Sequence, residues 1–513
     1  MKHKKLYATL MAVALPAGMA LTGCGNDDSS VGSPSPAASS AASPAASAAA
    51  TKAPSAADLK PVELSIYYPG GTEQKDQTLV EAELNKLLKD KINATVKIFP
   101  VDWGSWTQKM NLMVAGNEPF DLVYTAGSDN YSGKVAAGSF MDLTSLIDQY
   151  GQELKKNIDP LLLEGTKING KNYSVPVQKE IAASQGLFIN KSFVDKYGFD
   201  ISKIKTLKDL EPMLQTIKEK EPATVVPFWA TTNVTALLPY EVVGAKQIPG
   251  VIDRNGGTKV INQWETPEAK ELFQLMHSWN TKGYFQKDPT TQTDSTAYKK
   301  AGTLFSTHSS LKPGADKESS AGLNYEWVQV ELLSPYVAAN GLTGAMTSIS
   351  RTSKNPERAM MLINLLHTDK QVLNTLVWGI EGTHYTKTGD NIIKKTDASN
   401  SYNPGINWKF GNQFLNYLWE NEDPKKWDNF KTFNKNAQIS KILGFTYDAE
   451  PVKNEESAIV NLYKPYVDAM SAGVLDPEKG ISEYSDKLKK AGLDKVLAEK
   501  QKQVDAFIKT QTK

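Results

Sequence analysis

Residues 62–125 alternate two kinds of periodicity, and this constrains the fold more than any other feature of the chain. Val62-Glu-Leu-Ser-Ile-Tyr-Tyr68 alternates apolar and polar side chains and stops at Pro69-Gly70-Gly71, which predicts a strand ending in a tight turn. From about Asp76 the spacing becomes helical, with Leu79, Leu84, Leu87 and Leu88 on one face. A second strand is predicted over Ala94 to Phe99. Trp103, Trp106, Met110, Met113 and Val114 then form a second helical stripe, ended by Gly116. Asp121-Leu-Val-Tyr-Thr125 reads as a third strand, running into Ala126-Gly127-Ser128-Asp129. Strand–helix–strand–helix–strand requires right-handed crossovers and a mostly parallel sheet with helices on both faces, an α/β fold. Ligands of such sheets lie beyond the carboxyl ends of the strands. Tyr68 and Gly70 in the first turn, and Ser128 and Asp129 in the third, are therefore the first candidates for a site.

Further along, Asn169-Gly-Lys-Asn-Tyr-Ser-Val-Pro-Val177 predicts a hairpin turn into a strand, and Leu187 to Asn190 another short strand. Val225-Val-Pro-Phe-Trp-Ala230 reads as a buried strand ending at Trp229. Asn355-Pro356 opens a helix with proline at its first position, and Gly492 splits the amphipathic tail into two helices. Folded protein is expected from about Pro61 onward. Some 450 residues exceed what one hydrophobic core serves, so two lobes are expected. No 20–50-residue repeat is visible, which sets solenoids and propellers aside.

The first 60 residues are of another kind. Lys2, Lys4 and Lys5 precede an apolar run to Leu21, too short for a comfortable membrane span, which reads as a signal peptide over residues 1–23. Leu21-Thr-Gly-Cys24 matches a bacterial lipobox, and Cys24 is the only cysteine in 513 residues. It cannot form an internal disulfide, so lipidation at Cys24 is its most economical use. Two acyl chains hold a protein at a membrane where one is marginal. Residues 24–60 are dominated by Ala, Ser and Pro, have little to bury, and read as a disordered tether. No other apolar run is long enough to span a bilayer.

Loss of residues 1–23 takes three lysines from 58 basic side chains and none of the 57 acidic ones. The slightly acidic balance argues against nucleic acid as a partner. No cofactor or metal motif survives inspection. Gly165 to Asn172 resembles a phosphate loop, but it lacks the Ser/Thr for magnesium and leads into a strand. Asp253-Arg-Asn255-Gly256-Gly257 starts like a calcium loop and lacks the later ligands, so it reads as a turn. The four histidines beyond residues 1–23 (277, 308, 367 and 384) are scattered, and with no second cysteine neither zinc nor iron–sulfur ligation is supported. A Gly-x-Ser-x-Gly elbow is absent. Paired carboxylates for glycoside hydrolysis stay open, with Glu180, Glu241, Glu326 and Glu381 conceivable. Aromatic side chains are more suggestive, because an indole face stacks on the C–H face of a sugar ring. Trp229 ends a strand, while Trp327, Trp378 and Trp408 sit beside turn-like sequence.

With these elements in place, the chain resembles the extracellular solute-binding lipoproteins of carbohydrate ABC importers, in their Gram-positive LipO-like branch. The likeness runs from Pro61 to Lys513. It rests on Asn117-Glu-Pro-Phe-Asp-Leu-Val-Tyr124, Asn169 to Pro176, Ile349-Ser-Arg-Thr-Ser-Lys-Asn-Pro-Glu-Arg-Ala-Met360, Trp378-Gly-Ile-Glu-Gly-Thr-His-Tyr385 and Ala491 to Gln503. It implies a type II periplasmic-binding-protein fold, with two hinged lobes closing on a ligand. Lobe 1 would comprise residues 61–179 and about 342–385, and lobe 2 residues 180–341 and about 386–513. Cleft positions carried over from maltose-binding members are Ser128, Asp129, Glu180, Trp229 and His308. The second-lobe strand end lacks Gly-Pro-Trp and the segment from Pro176 to Asn190 is longer, so maltose is not the expected ligand. The implied function is a lipid-anchored, monomeric receptor on the extracellular face of the membrane. It would capture an oligosaccharide for ABC permease subunits, without catalysis. A non-sugar solute such as a peptide, or a surface-anchored hydrolase or lyase, is the alternative.

Overall fold

A computed structural model describes residues 56–320 and 323–511. The expected signal peptide, Cys24 and all but the last residues of the expected tether lie outside them. Among the described residues no helix is long and apolar enough to cross a membrane.

The chain builds two five-stranded sheets, each with its own core. β1 (Val62–Pro69), β2 (Ala94–Val101) and β3 (Leu122–Thr125) are parallel, joined by helices Gln77–Ile92 and Trp103–Ala115. The crossovers bury Val80, Leu84, Leu88 and Ile92 from the first helix and Trp106, Met110 and Met113 from the second. Leu79 and Trp103, expected on these buried stripes, are 50% and 53% exposed. Each sits about one helical step outside the stripe that its neighbours complete. β4 (Val175–Pro176) is the last strand before the chain leaves for the second sheet, where β5 (Ala183–Asn190) and β6 (Val226–Trp229) lie. A hairpin of β7 (Tyr240–Val242) and β8 (Val251–Asp253) stands aside. β9 (Leu304–Leu311) and β10 (Trp327–Val337) extend the second sheet, and the chain returns to the first with β11 (Met346–Ile349).

The first sheet has the order β2-β1-β3-β11-β4. β11 runs antiparallel to both its neighbours, so the sheet is parallel only over its first three strands. A strand arriving from the other lobe enters the sheet from the opposite side, and its direction is reversed. The second sheet has the order β15-β10-β5-β9-β6, with β15 (Gln438–Ile439) reached only at the end. Between them, β12 (Tyr385–Lys387), β13 (Ile392–Lys395) and β14 (Leu418–Trp419) make a small third sheet, followed by helix Lys426–Asn436.

The first core is centred on Ile66, Leu122, Met346, Met360 and Leu373. It also takes in Ile406 and Phe410, both fully buried, so this part of the stretch expected in lobe 2 from about residue 386 packs on lobe 1. The second core joins Phe228, Phe273 and Trp279 to Val467, Met470, Tyr484, Leu488 and Val496 of the C-terminal helices. Burying each such side chain contributes about 1.5–3 kcal/mol, so these helices complete lobe 2 from within. Residues 177–182 and 338–345 connect the two sheets, and the segment around β15 bridges them again. Asn434 ties the first connection to helix Lys426–Asn436, accepting from the Ile181 N–H (2.9 Å) and donating to the Lys179 carbonyl (3.0 Å). Glu241, 4% exposed, ties the other two by accepting from Tyr336 Oη (2.7 Å), the Ala339 N–H and Ser440 Oγ (2.6 Å).

Candidate ligand-binding site

A cavity of about 530 Å³ opens where the first connection meets both lobes and the small sheet. Glu180 comes from that connection, Lys312 from the end of β9, and Trp378 from the end of helix Lys370–Trp378. Trp408, Gln413, Tyr417, Trp419 and Trp427 come from the segment around the small sheet. Its backbone is pinned by Ile406 and Phe410 in the first core and by Gly411 at φ +65°, where a Cβ would run into the Leu366 carbonyl.

Six ionic side chains line this cavity as one chain of alternating sign. Lys179 lies 3.5 Å from Glu180, Lys312 bridges Glu180 (3.2 Å) and Glu318 (3.1 Å), and Lys426 bridges Glu318 (2.8 Å) and Glu422. Burial pushes the Glu318 carboxyl up, but Lys312 and Lys426 outweigh it and hold the group below its ordinary range. The same carboxylates, Glu318 and Glu422, outweigh burial at Lys426 and hold that ammonium charged. Three cations against three anions leave the lining without surplus charge. Among them, Glu180 Oε2, Trp378 Nε1 and Gln413 Oε1 are buried without a hydrogen-bond partner. Buried polar atoms are nearly always partnered, and these three, with almost no accessible surface, lie just behind the lining rather than open to it. Trp378 and Trp419 meet edge to face at 5.2 Å, so aromatic and ionic surface share the lining.

The wall continues toward the end of β1. Tyr124 carries Trp103, Trp106 and Trp408 edge-on at 6.3, 6.4 and 6.1 Å. Gly70 (φ +84°) lies under the Trp103 indole, where any Cβ would collide. Lys409, 2% exposed, places its ammonium 5.4 Å from the Tyr68 ring, 5.6 Å from Trp103 and 5.2 Å from Trp408.

The sequence-predicted residues therefore fall into three groups. Glu180, Trp378 and Trp408 line one cavity, and Tyr68 and Gly70 adjoin it through Lys409 and Trp103. Ser128 lies apart, in another cavity of about 530 Å³ shared with Tyr240, Arg254 and Tyr336. The Asp129 carboxylate is taken up by Trp106 Nε1 (3.0 Å) and Lys134. Trp229, Trp327 and His308 do not line the cavity at Glu180. Trp229 does end β6, but its register opposite Thr307 leaves it short of the β9 end at Leu311, and it packs on Tyr298 at 5.1 Å. Trp327, 1% exposed, pairs with Asn190 at the far end of β5. At about 3.3 Å per residue this is roughly 20 Å from the end that carries Glu180. His308 is buried within β9, with Nε2 3.0 Å from Gln185 Oε1, and burial lowers its pKa to about 4. Lys312, Lys426, Glu318, Gln413 and Lys409 give no signal in the sequence, because a surface lysine and one caged by indoles look alike there. Among the described residues no cluster of three or more His, Cys, Asp or Glu could hold a metal ion.

Residues 71–373 match the bacterial extracellular solute-binding protein family, which is more than half of the chain. The chain belongs to that family. Residues 441–509 match a domain of unknown function (DUF3502), which here supplies the helices completing lobe 2. A carbohydrate ABC transporter substrate-binding protein of Streptococcus pneumoniae serotype 4 is 34% identical, over 99% of each chain. The crystal structure of an N-glycan transport solute-binding protein (NgtS) from S. pneumoniae superposes with a TM-score of 0.80 at 33% identity, covering 88% of this chain and 100% of that one. The same protein in complex with Man5GlcNAc superposes with a TM-score of 0.68 at 32% identity, covering 88% and 99%. This solute-binding protein thus shares the two-lobed fold of its relatives.

Proposed function

We propose that this solute-binding protein captures a neutral oligosaccharide of the N-glycan type between its lobes and delivers it to the permease of an ABC importer. The observation that carries the reading is the composition of the cavity at Glu180. Indole faces for stacking, amide and ionic side chains for hydroxyls, and an ionic lining balanced in charge suit an uncharged sugar. An ionic ligand would call for surplus charge of the opposite sign. No chemistry is asked of the site: the protein binds and releases its sugar intact. The chain is held outside the cell by acylation of Cys24 after removal of residues 1–23, and residues 24–60 serve as a tether. Replacing Cys24 with Ala should leave the affinity of purified protein unchanged and impair uptake by cells.

Thermal-shift screening against high-mannose N-glycans, plant-wall and storage oligosaccharides and peptides, with recovery of the bound sugar, tests the reading. A melting shift with an intact neutral glycan supports it. A shift only with peptides would replace the sugar by another solute, and cleaved sugar in the eluate would make the protein an enzyme.

A further inference from the structure

Lys409 lies behind Trp408, beside the cavity, and is unlike the lysines that line it. Its neighbours Lys179, Lys312 and Lys426 each face a carboxylate within 3.5 Å, whereas the Lys409 ammonium is enclosed by the rings of Tyr68, Trp103 and Trp408. Lys409 is shielded from water, at 2% exposed. Its backbone is fixed on one side by Ile406, whose carbonyl accepts from the Lys409 N–H (2.9 Å), and on the other by Phe410 against Tyr68 (5.9 Å). Trp103, by contrast, is 53% exposed and starts a helix, with little to restrain its indole beyond Tyr124, the bare backbone of Gly70 and the Lys409 ammonium. A cation over an aromatic face is attracted by the ring quadrupole, and most strongly when water is excluded.

We propose that Lys409 is a positioning residue whose caged ammonium holds the Trp103 and Trp408 indoles in place as a stacking surface for one sugar ring of the ligand. This rests on the oligosaccharide reading for what is stacked, but not for the cage itself. A hydrophobic or hydrogen-bonded support would fix the indoles at any pH; this one depends on a proton. Burial lowers the pKa of Lys409 to about 8. The other ionisable groups about the cage are Tyr68 and Tyr124, both raised by burial, with Glu81 and Asp129 adding to their shifts, and Lys179, 6.0 Å from the Trp408 ring beside Glu180. Both phenols stay neutral well past pH 8. Above pH 8 the lysine becomes neutral, the cation–π attraction is lost and the indoles are released.

The test uses tryptophan fluorescence of the ligand-free protein between pH 6 and 10, and calorimetry with Man5GlcNAc at pH 7 and pH 9. Wild type should show a spectral transition centred near 8 and bind about tenfold more weakly at pH 9. Lys409→Met should lack the transition and bind about tenfold more weakly at both pH values, while Lys409→Arg, charged throughout, should lack the transition and keep its affinity at pH 9. Melting curves of the two variants show whether each is folded, and Trp103→Phe and Trp408→Phe should each remove part of the transition. A transition that persists in folded Lys409→Met, or wild-type affinity in that variant, would overturn the proposal. If the glycan does not bind wild type but the transition behaves as described, the cage stands and the sugar reading falls.

Discussion

Two clusters of tryptophan, alike in sequence, have opposite surroundings. Trp229 and Trp327 lie with Phe188, Leu304 and Leu311 in an apolar cluster of the second sheet, 3% and 1% exposed. Trp378 and Trp408 lie against lysines, glutamates and orphaned polar atoms at the junction of the lobes. An indole becomes a candidate for ligand contact through the polar company it keeps, not through its own burial. Substitutions that trade stability against binding test that difference.

The largest effect belongs to the apolar cluster. Trp327→Ala should cost about 3–5 kcal/mol of stability through the cavity it leaves, read from denaturant unfolding, with affinity unchanged in whatever remains folded. Trp408→Ala should do the reverse, weakening glycan binding about 100-fold as a stacking anchor does, with a much smaller change in unfolding midpoint. Equal losses of stability from both would erase the distinction.

Acid provides a third comparison. His308 has a folded pKa of about 4 against 6.5 when unfolded. Between those values the unfolded chain binds the proton and the native one does not, so stability falls as pH drops from 6.5 toward 4. Replacement by Gln, which keeps a partner for Gln185, should flatten that part of the profile by roughly 2–3 kcal/mol at pH 4. Smaller again, Glu180→Gln breaks the ionic chain and should lower affinity about tenfold, with little change in melting. Ser128→Ala should change affinity less than about threefold, because Ser128 faces a different cavity.

Much of the first lobe is legible in the sequence because β1 to β3 and their helices are consecutive and periodic. Pairings between distant segments are not. β11 enters its sheet reversed after an excursion through the second lobe, and Ile406 and Phe410 return to the first core from a stretch with no regular period. The site divides in the same way. Tyr68 and Gly70 follow from a strand end, Glu180 from its place in the family's pattern, and Trp378 ends a helix whose amphipathic face is visible. Trp229 and His308 rest on the same family pattern, and a register several residues short of the β9 end sets them away from the cavity at Glu180. The ionic chain joins residues more than a hundred positions apart, a closeness that only the folded chain provides.

Calorimetric titration of the purified protein with Man5GlcNAc, alongside Trp408→Ala, addresses the central claim most directly. One-to-one binding by wild type, recovery of the intact glycan and a loss of about two orders of magnitude in the variant are expected. Undiminished binding by Trp408→Ala would place the ligand elsewhere, and no binding of any glycan, with a peptide bound in its stead, would contradict the sugar receptor outright.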